Sequence, residues 1–498
     1  VFFILRTISG MSSTLIYMIG VDIGTGSTKV IALLPDGSVQ AVHQQAYKTR
    51  YPQSGHSEQD PEDILQAVKQ GIRQVAQQMG ASPAAVSFSS AMHSVMALDA
   101  QHQPLTPLII WADNRSQDIA TALQPTEQGR ALYQQTGVPL HPMSPLCKIA
   151  WLRQEEPALF KKTLMFVGIK EYVLHRFFGR YVIDHSIASA TGLFDIRQRQ
   201  WSAAALAVAG IAPAQLPEPV PTHYILNDLP AAQAAALGIL PGTPFIIGAS
   251  DGCLAQLGSG ALAPGHATLT IATSGAMRMT VPEPVTDPRQ RLFNYILDGR
   301  HYVTGGPVNN GGVALQWFVR DFLQRKGAGD LDTAIQEALQ IAPGAEGVIC
   351  LPYLLGERAP VWDPHARGAF IGIQPQHTAL HFMRAMLEGV AFGLLSIAEA
   401  LRETAGPIRK ISVSGGFTHS PGWIQLMADI FRQPMYLGQE HDASAIGAAI
   451  VGYEAMGLPF TSPAELPAEV FEPRDEGQEV YREHYRLYGR LYERLKGL

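Results

Sequence analysis

The sequence predicts an α/β protein built as two lobes that face one cleft, on three observations. Strand-like and helix-like apolar segments alternate along the whole chain, the order expected of layered α/β architecture. A hairpin with a small, polar turn occurs twice, once near the start of each half, a weak internal symmetry that pairs related lobes. The 498 residues are 46% hydrophobic and only 16% charged, against ~25% charged in an ordinary globular protein, so a large core is available. At ~150 residues per domain the length allows three domains, but α/β domains run to ~250, which allows two large lobes. The 47 glycines and 35 prolines exceed the usual ~12% share yet stay below the ~25–30% of low-complexity chains, and so mark tight turns.

Residues 1–16 read as an extension ahead of the fold, with translation starting at Met11: Gly10, Ser12 and Ser13 interrupt the apolar run and Arg6 is its single positive charge. The first lobe, residues 17–255, opens with two strands over residues 17–34, flanking Gly24-Thr25-Gly26-Ser27-Thr28-Lys29. The second strand ends at Pro35-Asp36-Gly37-Ser38, where proline presets one turn dihedral and glycine supplies the positive one. Asp60, Pro61, Glu62 and Asp63 give an N-cap, a first-turn proline and early carboxylates, so a helix runs to about Met79, followed by a strand over 85–89. Pro241-Gly242-Thr243 precedes a buried strand over 245–248 and a helix after Asp251. The second lobe, residues 256–460, repeats the opening hairpin over 266–280 around Thr273-Ser274-Gly275. In the tail, residues 461–498, Tyr481, Tyr485, Tyr488 and Tyr492 recur at helical spacing. Packing on its own lobe is favoured over a homodimer contact.

A net charge of −6 without blocks of like charge argues against nucleic acid and anionic membrane as partners. Cys147, Cys253 and Cys350 are odd in number and far apart, which reads as buried thiols in a reducing cytoplasm. Beyond residues 1–23 no stretch reaches the ~18 uncharged apolar residues of a membrane span.

Several segments carry potential chemistry. The turn at residues 24–29 lets backbone N–H groups approach a phosphate, with Asp22 placed to hold magnesium through water; a plain glycine-rich hairpin is the equal alternative. It is neither a P-loop nor a dinucleotide fingerprint, and Gly258-Ser-Gly260-Ala-Leu-Ala263 matches the latter only in spelling. Gly248-Ala249-Ser250-Asp251-Gly252 fits a nucleophile elbow, which would make Ser250 the nucleophile of a serine hydrolase. The competing reading gives the role to Asp251, as the base that takes a proton from an alcohol attacking a phosphate; a helix cap is the bland alternative. Met92, His93, Trp111, Asp113 and Arg115 follow apolar runs and offer a wall and hydrogen bonds for a polyol, although each taken singly is more often structural. Gly306 and Asn309, within the glycine-rich stretch 305–312, and Gly415-Gly416 allow a purine and its ribose to approach, or are ordinary turns.

Together these motifs resemble the FGGY carbohydrate kinases, within the actin and hexokinase-like superfamily, over residues 17–457. Met143-Ser-Pro145-Leu-Cys-Lys148-Ile149-Ala-Trp151-Leu152-Arg-Gln154-Glu155 fits the family's first signature; Gly368-Ala-Phe370-Ile-Gly372-Ile373 and, seven residues on, His381-Phe382-Met-Arg-Ala385-Met386-Leu387-Glu388 fit the second. Gly356-Glu357-Arg358-Ala-Pro360-Val-Trp362-Asp363-Pro364 and Ala443-Ser-Ala445-Ile-Gly447-Ala448-Ala449 accompany them. The resemblance implies two ribonuclease H-like lobes around a central cleft and an ATP-dependent kinase for a small sugar acid or polyol. By it Asp251 is the general base; Asp22, with Asp251, organises Mg2+ through water; and Gly24, Thr25, Gly26, Ser27, Lys29, Thr273, Ser274 and Gly275 grip the phosphates. Gly306, Asn309, Gly415 and Gly416 then line the adenosine site, and Met92, His93, Trp111, Asp113, Arg115 and Asp251 the substrate site.

Within the family, Ser90-Ala91-Met92-His93-Ser94, Ile169-Lys170-Glu171-Tyr172, residues 248–253 and the stretch 305–311 resemble the members that phosphorylate gluconate at its 6-position. Those acting on xylulose more often carry Asn after the catalytic Asp, where this chain has Gly252; xylulose is the runner-up substrate. A gluconate carboxylate needs a cation, and Arg115 and Lys170 are candidates by charge. A non-catalytic sugar sensor would keep the fold, but Asp22, Lys29 and Asp251 are all retained.

Overall fold

A computed structural model of the chain describes residues 15–327, 329–438, 442–461 and 468–496. The expected extension lies outside the described residues up to position 14, as does residue 11, the expected start.

The opening hairpin forms the centre of a six-stranded sheet. Met18–Ile23 pairs antiparallel with Ser27–Leu33 and parallel with Ala85–Ser90, and is buried at every position but Asp22, as expected of a central strand covered on both faces. Val39–Ala46 extends the sheet on one side; Phe245–Ser250 and the short Ile225–Leu226 complete it on the other. The helix Pro61–Met79 begins where Asp60 accepts a hydrogen bond from the Glu62 amide at 3.0 Å, and ends at Gly80 in the left-handed region. Its buried face, including Ile64, Leu65, Val68, Ile72 and Val75, packs into the same core as the strand residues Val21, Val30 and Phe88.

The second hairpin, His266–Ile271 and Gly275–Val281, centres a seven-stranded sheet that runs Phe293–Ile296, Tyr302–Val308, Gly275–Val281, His266–Ile271, Lys410–Ser414, Met435–Leu437, Glu469–Phe471. Each sheet therefore holds a three-stranded antiparallel unit followed by two parallel strands, added in the same order. The long helix Ala379–Thr404 is apolar and long enough to span a membrane, but it lies largely buried in the core of the second half.

Each fifth strand leads toward a helix that starts at the cleft, Asp251–Gly258 in the first half and Ala443–Ala455 in the second. The two helices pack on each other through backbone. A β-carbon on Gly258 would sit 1.9 Å from the Ala443 carbonyl oxygen, and one on Gly447 would sit 2.1 Å from that of Leu254. Ala443–Ala455 also lies against the first sheet, where a β-carbon on Gly20 would meet the Ala445 oxygen at 2.1 Å. The stretch 256–460 thus hands one helix back to the first half.

The tail helix Gln478–Leu495 packs on its own half, as its tyrosine spacing predicts. The Tyr488 hydroxyl bonds that of Tyr353, Tyr492 donates to Asp363 and Tyr485 to Glu399. Residues 462–467, the first part of the expected tail, lie outside the described residues apart from Thr461. The three cysteines are buried free thiols.

Candidate active site

Between the two halves lies a cleft of about 450 Å³. Asp22 enters from the end of the first central strand, Asp251 from the first turn of the helix after the fifth strand, and Thr270, Arg278 and Ser414 from the second sheet. Lys29, Gly252, Gly415, Gly416 and Asp442 lie around them, with Thr418, His419 and Ser444 also in the lining. Burial together with the neighbouring Asp251 carboxylate pushes Asp22 up to about 7, against the hydrogen bond from Ser89 at 2.7 Å and the charge of Lys29. Burial also raises Asp251, against Arg278 and the Gly252 amide, which donates to it at 2.7 Å. Two carboxylates so placed are costly to bury unpaired. Lys29 is held by Asp442.

The nucleophile-elbow reading fails on geometry. Ser250 is fully buried, and its hydroxyl bonds that of Ser186 at 2.9 Å, with no histidine as partner. Gly248 adopts φ 68°, and a β-carbon there would lie 1.7 Å from the Phe88 carbonyl oxygen. The glycine thus serves close strand packing rather than an exposed elbow. Ser250 is the helix N-cap, which leaves Asp251 free of the capping role.

Apart from Asp251, none of the expected substrate-site residues is in the cleft lining, and they divide by how close they come to it. A β-carbon on Gly252 would lie 3.2 Å from Met92 Cε, which places Met92 beside Asp251. His93 is buried with φ 66°, an uncommon backbone state for a non-glycine, and its Nε2 lies 3.1 Å from the Tyr295 hydroxyl in the second half. Burial, with Lys148 and Arg358 nearby, pulls His93 down to about 3, so the ring is neutral. Trp111 donates to Thr25 Oγ1 at 2.9 Å and lies 4.6 Å under the Arg358 guanidinium, linking the polar turn to the second half.

Asp113 and Arg115 do not reach the cleft. Asp113 is fully buried and accepts from Ser57 N at 2.6 Å and from Arg115 Nε and Nη2 at 2.8 Å each. Arg115 also bonds Glu58 at 2.5 Å. This is a closed structural knot, and Arg115 has no guanidinium charge left for a substrate carboxylate. Lys170 is likewise buried against Asp184 at 2.6 Å and the Ala249 carbonyl at 3.1 Å.

The two polar turns differ. Gly24, Thr25, Gly26 and Ser27 are tied down: Gly24 N donates to Ser27 O, Tyr47 donates to the carbonyls of Gly24 and Gly26, and Gln59 donates to that of Thr25. In the second hairpin Thr273 is exposed, Ser274 half-buried and Gly275 buried against Val308, and none of them lines the cleft. Gly306 is a packing glycine, where a β-carbon would lie 2.4 Å from Ala359 Cβ. Asn309 is committed to the segment after Leu354, through Leu355 O, Glu357 and Arg358 Nε.

Two family-signature residues prove to be internal anchors. Lys148 is fully buried and donates to the carbonyls of His93, Ile110 and Met143 at 2.7 to 2.8 Å, tying the loops that carry Met92 and Trp111 to its own helix, Pro145–Glu155. Glu388 is buried against Arg384 at 2.7 Å and accepts from Gly344 N.

Thr270, Arg278, Ser414 and Asp442 were not singled out by the sequence. A usable signal existed for Arg278, the one charged residue of its strand, set between Met277 and Met279, both buried.

Comparison with known proteins agrees over nearly the whole chain. The profile of the FGGY family of carbohydrate kinases, N-terminal domain, matches residues 17–258, and that of the C-terminal domain matches residues 267–456. A gluconokinase of Bacillus licheniformis is 42% identical over 450 residues, covering 89% of this chain and 88% of that protein. A xylulose kinase of Bacillus subtilis is 31% identical over 461 residues, covering 91% of each. The crystal structure of a gluconate kinase from Lactobacillus acidophilus superposes with a TM-score of 0.91 at 32% identity, over 97% of this chain and 99% of that one.

Proposed function

We propose, from the premise that the chain belongs to the FGGY family of carbohydrate kinases, that it transfers the γ-phosphoryl group of ATP to the 6-hydroxyl of gluconate. The observation that carries the reading is the placement of Asp251, at a helix start on the cleft floor beside Asp22 and opposite Gly415 and Gly416. The 42% identity to the gluconokinase, above the 31% to the xylulose kinase, favours the sugar acid.

In this reading Asp251 accepts the hydroxyl proton as the substrate oxygen attacks the γ-phosphorus; the new O–P bond forms as the bond to the ADP oxygen breaks. Thr270 and Ser414, whose hydroxyls lie 2.9 Å apart at the cleft, offer donors to phosphate oxygens. Gly415 and Gly416 let the nucleotide approach the backbone. Lys29 is placed to exchange Asp442 for a phosphate. Magnesium takes one or two carboxylates and fills its other positions with water and phosphate oxygens, a requirement Asp22 and Asp251 fit. When bound it would neutralise charge on the nucleotide phosphates. The buried thiols suit a cytoplasmic location.

A coupled assay of ADP release over gluconate, xylulose, ribulose and glycerol tests the reading. Gluconate gives the highest kcat/KM. Turnover of xylulose with gluconate inert would move the chain to the xylulose-phosphorylating members.

A further inference from the structure

We propose that Arg278 recognises the carboxylate of the sugar acid and that Gly252 makes room for it. The inference rests on the reading of the chain as a sugar-acid kinase and names the group that reads the acid.

A carboxylate entering the cleft needs a cation not already neutralised, and the other lysines and arginines nearby are committed. Arg115 is held by Asp113 and Glu58, Lys170 by Asp184, Lys29 by Asp442. Lys148 is spent on three carbonyls. Arg358 bonds Asn309 and the Val308 carbonyl and covers Trp111. Arg278 differs from all of them. It lines the cleft beside Asp251, on which its charge acts, and among the described residues its buried Nε has no hydrogen-bond partner and no salt bridge holds it. A guanidinium left short of partners is unfavourable, and a bidentate carboxylate supplies the acceptors it lacks.

Gly252 is coupled to this arrangement by space. A β-carbon at 252 would lie 3.1 Å from Arg278 Nε and 3.5 Å from its Cζ, with Met92 Cε 3.2 Å away on another side. A larger side chain at 252 and the guanidinium therefore compete for one volume. Glycine after the catalytic aspartate gives that volume to the cation; an amide side chain there would take it and read an uncharged substrate instead. Arg278 reaches the site from the second half, on a strand held in register with Thr268 and Gly305, whereas Gly252 belongs to the first half. The acid would thus be gripped across the cleft.

The test compares matched pairs in which only the carboxylate changes: gluconate against glucitol, and xylonate against xylitol. ADP release gives kcat and KM, and calorimetry gives affinity. Arg278→Met raises the gluconate KM by about 100-fold with a smaller change in kcat, and narrows the preference for acid over polyol by a similar factor. Arg278→Lys restores part of the affinity, and Gly252→Asn shifts the preference in the same direction as Arg278→Met. Thermal melts report whether each variant folds. If wild type prefers gluconate and Arg278→Met, folded, keeps its KM within about threefold, the assignment is overturned. The same holds if Arg358→Met rather than Arg278→Met removes the preference. If wild type ignores gluconate but prefers another acid, the proposed substrate fails while the role of Arg278 stands; if it prefers no acid, both fail.

Discussion

The two halves share a strand order and differ in the chemistry they bring to the cleft. On the first central strand Asp22 faces Lys29 across the hairpin and Ser89 on the parallel neighbour, with a hydrogen bond from Ser89. At the matching place in the second half, Thr270 faces Ala276 and Ser414, with a bond between the two hydroxyls. The pattern of strand, neighbour and hydrogen bond is the same, yet the first half presents charge and the second presents hydroxyls. Asp251 extends the contrast: it follows its strand directly and makes no salt bridge among the described residues, while Asp442, before the corresponding helix, is neutralised by Lys29. At these matched positions one topology thus carries a carboxylate on the first side and hydroxyls on the other, with Arg278 as the cation that the second sheet adds to the cleft.

Substitutions at matched positions break or sharpen this contrast. The largest effect is expected from Asp251→Asn, which lowers kcat by about 10³- to 10⁴-fold in the ADP-release assay while the protein stays folded. Near-normal turnover would remove the base from the first half. Asp22→Asn follows at about 10²-fold, and its second-half counterpart Thr270→Val at no more than about tenfold, because a neutral donor is worth less than a charge in a dry site. Equal losses at the two positions would erase the asymmetry.

The buried anchors allow a comparison of stability. Lys148→Met strands three carbonyl oxygens and is expected to cost about 2–4 kcal/mol in denaturant unfolding, with a raised sugar KM because the loops carrying Met92 and Trp111 loosen. Glu388→Gln in the second half costs about 3 kcal/mol by breaking a buried pair, and leaves the sugar KM unchanged. Ser250→Ala is expected to leave kcat within about threefold; a larger drop with folding intact would bring back the hydrolase reading.

The smallest effect concerns pH. His93 is neutral in the folded protein, with its pKa down at about 3 from 6.5. The unfolded chain therefore binds more protons between those values, and the contribution of His93 to stability, complete above pH 6.5, falls away as pH drops toward 3. His141 is depressed by the same cause and adds to the slope. Melting temperature is expected to fall between pH 7 and 5, and His93→Gln flattens that slope. An unchanged slope would mean the ring is charged in the fold.

Much of this was legible in the sequence, for reasons that can be named. Asp22, Asp251, Gly415 and Gly416 sit where an apolar strand gives way to small polar residues, and such strand ends meet at the cleft. The paired hairpins gave away the second sheet. Asp113 and Arg115 misled because a carboxylate and a guanidinium two residues apart can satisfy each other, and here they do. Gly306 and Asn309 misled because glycine-rich text does not say whether the space serves a ligand or a neighbouring side chain. Thr270 was hidden by alternation, since His266, Thr268 and Thr270 alternate with apolar residues as solvent-facing positions do, whereas Arg278 stood out by its charge alone.

The contact between the helices Asp251–Gly258 and Ala443–Ala455 has a geometric consequence. At Gly258 and Gly447 the neighbouring carbonyl oxygens stand where a β-carbon would be. Any alanine at either place must wedge the helices apart, and with them Asp251 from the Ser444 hydroxyl that now bonds its carbonyl at 3.2 Å. The spacing of the two helices that carry Asp251 and Ser444 is thus set, at Gly258 and Gly447, by two hydrogen atoms.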